Sequence, residues 1–90
     1  MRLVKLSTAE FKDIDAVDAF FDEDLPQREP PGKFSFPAGW IAADGLDESE
    51  LLLFSFRGRV VRIARAGSGR LQNTDAARDR YPYYCVVEMK

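Results

Sequence analysis

Five arginines, Arg62, Arg65, Arg70, Arg78 and Arg80, surround a short Gly67-Ser68-Gly69 loop, and Tyr81, Tyr83 and Tyr84 follow directly after them. Guanidinium forks match phosphate oxygens and guanine edges. Aromatic faces stack on unpaired bases for about 1–3 kcal/mol each. Glycines let backbone N–H groups come close to a phosphate. One stretch therefore holds what a nucleic-acid surface requires. The same arginines also suit a plainer role, as solvated strand and loop residues paired with carboxylates elsewhere, each exposed pair contributing only ~0–1 kcal/mol. The glycine loop alone has no P-loop character, because the Lys-Ser/Thr pair is missing. Trp40, the single tryptophan, sits in Pro37-Ala38-Gly39-Trp40. It suits either a stacking platform for a base or a plug at the end of a small barrel.

Charge is distributed unevenly along the chain. Residues 1–50 carry twelve acids against five bases, a net of −7, whereas residues 51–90 carry eight bases against three acids, a net of +5. Two oppositely charged surfaces, and hence a charged partner, are expected. Asp15, Asp18, Asp22, Glu23 and Asp24 form the densest acidic group. They read as a solvated helix face or as a surface that mimics nucleic acid or docks on a basic protein or on a second copy of the chain. Asp13-x-Asp15-x-x-Asp18 lacks the third ligand and the glycine of a calcium loop. Glu88-Met89-Lys90 is half of the (D/E)-x-K signature of metal-dependent nucleases, in which carboxylates hold Mg²⁺ and lysine helps position water. The other half would have to come from Asp75 or Asp79. The plainer reading is a charge pair at a strand end.

Other chemistry is excluded by composition. There is no histidine and one cysteine, Cys85. That removes intramolecular disulfides, Cys/His zinc sites and histidine-dependent nucleophile systems. Cys85 lies in Tyr84-Cys85-Val86-Val87 with no cation close in sequence, which fits a buried structural thiol. No apolar run approaches the ~18 residues of a membrane span. Lys5 interrupts the apolar start, so no signal segment is expected, and a cytoplasmic location follows. No cofactor or metal is expected.

The elements that must position these residues follow from periodicity. Leu3–Leu6 reads as an opening strand. Ser7 and Glu10 have capping-box spacing, and Phe11, Ile14, Val17 and Phe21 recur at helical spacing. A helix is expected from Thr8 to Phe21, ending before Asp22-Glu23-Asp24, because acids oppose the dipole at a helix C-terminus. Four prolines between 26 and 37 prevent a helix there. Phe34 and Phe36 alternate with polar residues as in a short edge strand, and Trp40–Ala43 has the pattern of another. Leu51–Phe56 is apolar on both faces and should be a central strand. Arg57-Gly58 is a two-residue turn, and Val60–Arg65 returns with Val61 and Ile63 on the core face and Arg62 on the other. Asn73-Thr74-Asp75 suits the cap of a short helical turn through Arg78. Tyr83–Met89 should be the last strand.

The segment Glu50-Leu51-Leu52-Leu53-Phe54-Ser55-Phe56-Arg57-Gly58-Arg59-Val60-Val61-Arg62-Ile63-Ala64-Arg65 resembles the hairpin of the PUA-like superfamily, including EVE and ASCH domains: an acid, an apolar strand, a glycine turn and a returning apolar strand. The resemblance implies a small barrel that binds RNA or modified bases in DNA, with a pocket lined by aromatics such as Trp40 and Tyr83.

The expected protein is one α+β domain, 1–90, with an N-terminal helix packed on a curved antiparallel sheet or partly open small β-barrel. The expected function is non-enzymatic binding of RNA or DNA through Arg62, Arg65, Arg70, Arg78, Arg80, Tyr81, Tyr83 and Trp40. The alternatives are protein docking or self-association through the acidic helix, and a nuclease using Glu88 and Lys90.

Overall fold

The computed structural model describes residues 1–36, 45–74 and 79–89. The described elements are β1 (Arg2–Leu6), α1 (Ile14–Ala19), β2 (Lys33–Phe36), β3 (Leu51–Phe56), β4 (Arg59–Ala66), β5 (Leu71–Gln72) and β6 (Tyr83–Met89). The strands form one curled half-barrel in the order β1-β3-β4-β6-β2, with β5 also on β6. The α+β expectation holds, with one refinement: β1 runs parallel to β3 and the other pairings are antiparallel. A parallel neighbour cannot be reached through a hairpin. The helix and β2 lie in the crossover between β1 and β3.

The concave face holds the core. Val4, Leu6, Leu52, Phe54, Phe56, Ala64, Ala66, Cys85, Val87, Phe34 and Phe36 point into it from the strands, and Phe11, Val17, Phe21 and Leu25 close it from the helical side. The phenylalanines interlock, edge to face or tilted. Phe21 lies 4.9 Å from Phe54, Phe20 lies 5.9 Å from Phe34, and Phe34 lies 5.2 Å from Phe54 between ring centroids. Such pairs contribute about 0.5–1.5 kcal/mol each beyond area burial, and the Phe20-Phe21 step just after α1 ties the helical segment to the strands through two of them.

The helix begins later and ends later than its spacing predicts. Ser7 closes a separate turn: its Oγ accepts from the Ala9 N–H at 3.0 Å, and its carbonyl accepts from Phe11 N–H at 3.0 Å. The cap is Asp13, whose Oδ1 accepts from Ala16 N–H at 2.9 Å. This arrangement leaves Phe11 free to reach the core from outside the helix. At the far end a wide π turn, Phe20–Asp24, and a 3₁₀ turn, Leu25–Gln27, carry the coil through the three acids. Two forces outweigh the dipole there: burial of Leu25, 1% exposed, and a cation that meets Asp22.

The hairpin behaves as its residues dictate up to one point. Arg57 and Gly58 take φ of 52° and 80°, a type I′ turn. The register then slips, Phe54 opposing Arg62 and Ser55 opposing Val60, so Val61 is an extra residue in a β-bulge. Beyond the bulge the faces exchange. Arg62, Ala64 and Ala66 turn to the concave side, and Ile63 turns outward, 45% exposed. Val61 packs against the core as expected; Ile63 does not.

Candidate nucleic-acid interface

The bulge decides the fate of the first predicted site residue. Arg62 faces the helix, with its guanidinium 5.6 Å above the Phe21 ring. It donates to Asp18 Oδ1 at 2.8 Å, to Asp22 Oδ1 at 2.9 Å and to Asp22 Oδ2 at 3.1 Å. Asp22 and then Asp18 raise its pKa further above an already high value. Arg62 is a clamp between sheet and helix, not part of an open cationic surface. The same contacts divide the acidic group: Asp18 and Asp22 are engaged by Arg62, while Asp15, Glu23 and Asp24 remain exposed.

Among the described residues, the other predicted arginines, Arg65, Arg70 and Arg80, make separate contacts. Arg65 is on the convex face, where its Nη1 donates to the Ser49 carbonyl at 3.0 Å. Glu88 stands opposite it on β6 and is exposed. Arg70 stacks over Tyr83 at 4.3 Å, and Arg80 stands over Tyr81 at 5.4 Å. Trp40, Ala43, Asp75, Arg78 and Lys90 lie outside the described residues, and with them the expected Trp40–Ala43 strand and the helical turn through Arg78. The glycine loop is not an open phosphate cradle. Gly67 N–H donates to the Val86 carbonyl at 2.7 Å, and Ser68 Oγ accepts from Val86 N–H at 3.0 Å. The loop thus continues the β6 ladder between β4 and β5.

An opening of about 420 Å³ lies at the β2 edge, at the end of the half-barrel where β5 and β6 meet. Phe11, Phe20 and Phe34 form its apolar wall, and Glu10, Arg28, Lys33, Asn73 and Tyr81 its polar one. Asn73, 4% exposed, organises that wall. Its backbone N–H donates to the Pro82 carbonyl at 2.8 Å and its Nδ2 to the Tyr81 carbonyl at 3.0 Å. Its Oδ1 accepts from Lys33 Nζ at 3.1 Å. Lys33 lies 4.7 Å over the Tyr84 ring, and Arg28 lies 4.9 Å over Phe20 while donating to the Lys33 carbonyl at 3.2 Å. Tyr81 Oη donates to Glu10 Oε1 at 3.4 Å. Cations held over aromatic faces are attracted to the ring quadrupole, by about 0.5–1 kcal/mol at exposed sites.

Of the predicted residues that are described, only Tyr81 lines this opening, with Arg80 stacked on it; Tyr83 points from β6 to the face opposite Tyr84. Sequence reasoning missed Glu10, Phe20, Arg28, Lys33 and Asn73. Lys33 had a readable signal, since the Lys33-Phe34-Ser35-Phe36 alternation separates it from the two buried phenylalanines. Asn73 had none, because the cap role suggested by its neighbours competes with the contacts it makes across the fold.

Cys85 is fully buried, and burial pushes its thiol up to about 12 from the ordinary 9.0. It is an inert core residue. Among the described residues no three His, Cys, Asp or Glu side chains gather in a way that could hold a metal ion, and no helix is long and apolar enough to cross a membrane. Comparison with family models, curated proteins and solved structures finds no match to this chain.

Proposed function

We propose that this domain is a non-enzymatic nucleic-acid-binding module that takes an unpaired base into the opening at the β2 edge. The observation that carries the reading is the make-up of that opening: Arg28 over the lining ring of Phe20, Lys33 on the polar wall, and the lining ring of Tyr81 with Arg80 over it. Its volume, about 420 Å³, falls within the roughly 300–1,000 Å³ of small-ligand sites. Flat rings on one wall and hydrogen-bonding groups on the other are how an extruded base is held. Glu10 and Glu29 share the rim and repel phosphate. The base therefore occupies the opening, and the backbone phosphates fall to Arg28, Lys33 and Arg80. This is also the direction in which the PUA-like hairpin resemblance points.

The test is fluorescence anisotropy with labelled single-stranded RNA and DNA over a salt series. Binding is expected with a Kd of about 10⁻⁴–10⁻⁶ M at physiological salt, tighter at ~50 mM and weakening steeply as salt rises through counterion release. Tyr81→Ala should weaken it by about 1–3 kcal/mol through lost stacking. Arg80→Ala should reduce the slope of log K against log salt by about 0.7, one phosphate on a single strand. No anisotropy change with either nucleic acid at ~50 mM salt would end the proposal.

A further inference from the structure

A closed circuit of contacts runs around the opening at the β2 edge. Tyr81 Oη donates to Glu10 Oε1 at 3.4 Å. Phe11, next to Glu10 in the chain, meets Phe20 with ring centroids 5.4 Å apart. Arg28 lies over Phe20, and its Nη1 donates to the Lys33 carbonyl. Lys33 Nζ donates to Asn73 Oδ1, and Asn73 Nδ2 returns to the Tyr81 carbonyl. This circuit fixes which polar atoms remain for a ligand. The Asn73 amide is engaged at both its oxygen and its nitrogen. The Ser35 hydroxyl donates or accepts alike and does not discriminate between bases. Glu10 differs. Its Oε1 accepts from Tyr81, while its Oε2 meets no hydrogen-bond partner among the described residues. A carboxylate has about four acceptor sites, so room for two further N–H groups is left. Glu10 is also held in place: its N–H donates to the Ser7 carbonyl at 3.2 Å, and the residue after it, Phe11, is buried. Glu29, the second carboxylate of the rim, makes no hydrogen bond or ion pair among the described residues that would orient it.

We propose that the base taken into the opening is guanine, read by the Glu10 carboxylate along its N1–H and N2 amine edge. This inference rests on the base-binding reading above and narrows it. An acceptor-only group selects among bases by the donors they present. Unpaired bases are read on their Watson–Crick and Hoogsteen edges. On those edges guanine alone of the four carries two adjacent N–H donors, which match the two oxygens of one carboxylate. Adenine and cytosine each offer one amine beside a ring-nitrogen acceptor, and uracil one N–H between two carbonyls. In each of these a lone pair opposes the second carboxylate oxygen. Cytosine ranks second, because an acid accepts well from its N4 amine alone. Tyr81 contributes twice, its ring as a stacking face and its hydroxyl as the donor that holds Glu10. The carboxylate that repels phosphate at the rim is thus the group that chooses the base.

The experiment titrates the full chain into labelled oligouridine octamers that carry one central guanine, adenine, cytosine, inosine or 7-deazaguanine, read by fluorescence anisotropy at ~50 mM salt. The guanine strand should bind about tenfold tighter than the adenine strand, the scale of one bidentate base contact. Inosine keeps N1–H but lacks the N2 amine, and should lose most of that preference. 7-Deazaguanine lacks only N7, and should keep it. In Glu10→Gln the guanine-to-adenine ratio should fall to about twofold or less, because the amide sets a donor against a donor. The ratio is taken within each variant, so a general change in affinity cancels. Binding of no strand at all ends the base-binding reading, and this inference with it. Equal binding of guanine and adenine strands leaves that reading standing and overturns the guanine assignment alone. A preference that inosine retains in full, that 7-deazaguanine loses, or that survives in Glu10→Gln overturns it as well.

Discussion

Removing Arg62 separates a role in folding from a role in binding. In Arg62→Ala the two carboxylate contacts at 2.8 and 2.9 Å disappear. Asp18 and Asp22 are 49% and 60% exposed, so solvent screens both pairs and each contributes at most about 1 kcal/mol. Loss of the cation above Phe21 costs about 0.5–1 kcal/mol more. Asp18 and Asp22 are then like charges one helical turn apart with nothing between them, a further few tenths of a kcal/mol. The total is about 1–2 kcal/mol, which for a domain of this size lowers Tm by roughly 4–16 °C. Urea unfolding of the wild type, Arg62→Ala, Asp22→Asn and the double variant should give a coupling energy of about 0.5–1 kcal/mol. The coupling should shrink in ~1 M salt, where the Debye length is about 3 Å. Affinity for single-stranded nucleic acid should be the same in the wild type and in Arg62→Ala at temperatures where both are folded. A variant as stable as the wild type that binds nucleic acid poorly would refute the assignment of Arg62 to the helix and return it to the binding surface.

Alkaline pH should expose the buried thiol. Cys85 has a folded pKa of about 12 against an ordinary 9.0. Below pH 9 both states keep the proton and stability is unaffected. Above pH 9 the unfolded chain loses it first, so this thiol's contribution falls by about 1.4 kcal/mol per pH unit until the folded value is reached. The stability difference between wild type and Cys85→Ala, measured by urea unfolding from pH 8 to 10.5, should narrow by that slope above pH 9; parallel curves would contradict it. Gly32 has φ of +84°, and a Cβ there would stand 2.5 Å from the Val87 carbonyl oxygen. Gly32→Ala should therefore cost at least about 1–3 kcal/mol from backbone strain alone, with amide shifts along β2 and β6 in NMR spectra. A loss below about 0.5 kcal/mol, the usual size of a surface change, would show that the β2–β6 ladder is not seated on this glycine.

Several features were legible because their causes are local. Leu51–Phe56 is apolar on both faces and lies between β1 and β4, as a central strand must. Arg57-Gly58 makes the tight turn, Cys85 is buried, and the Lys33–Phe36 alternation is an edge strand. The presence of one helix followed from apolar spacing, but its limits did not. Ser7 and Asp13 are both good caps, and the choice between them rests on where Phe11 has to reach. The extension through Asp22–Asp24 rests on Leu25 and Arg62, which no helix rule applied to that segment contains.

Residue types, the absence of histidine chemistry, the alternation of strands and the α+β class were determined by the sequence, because each depends on the chain's own nearest neighbours. The facing of Arg62, the separation of Arg65 from Arg70 and Arg80, and the opening built by Phe20, Lys33, Asn73 and Tyr81 were decided only in three dimensions. A single extra residue at Val61 reverses which side chains face inward, and a buried amide at Asn73 joins segments forty residues apart through Lys33. Both effects depend on which strand lies beside which, and a period of two is the same on either face until a partner breaks the symmetry.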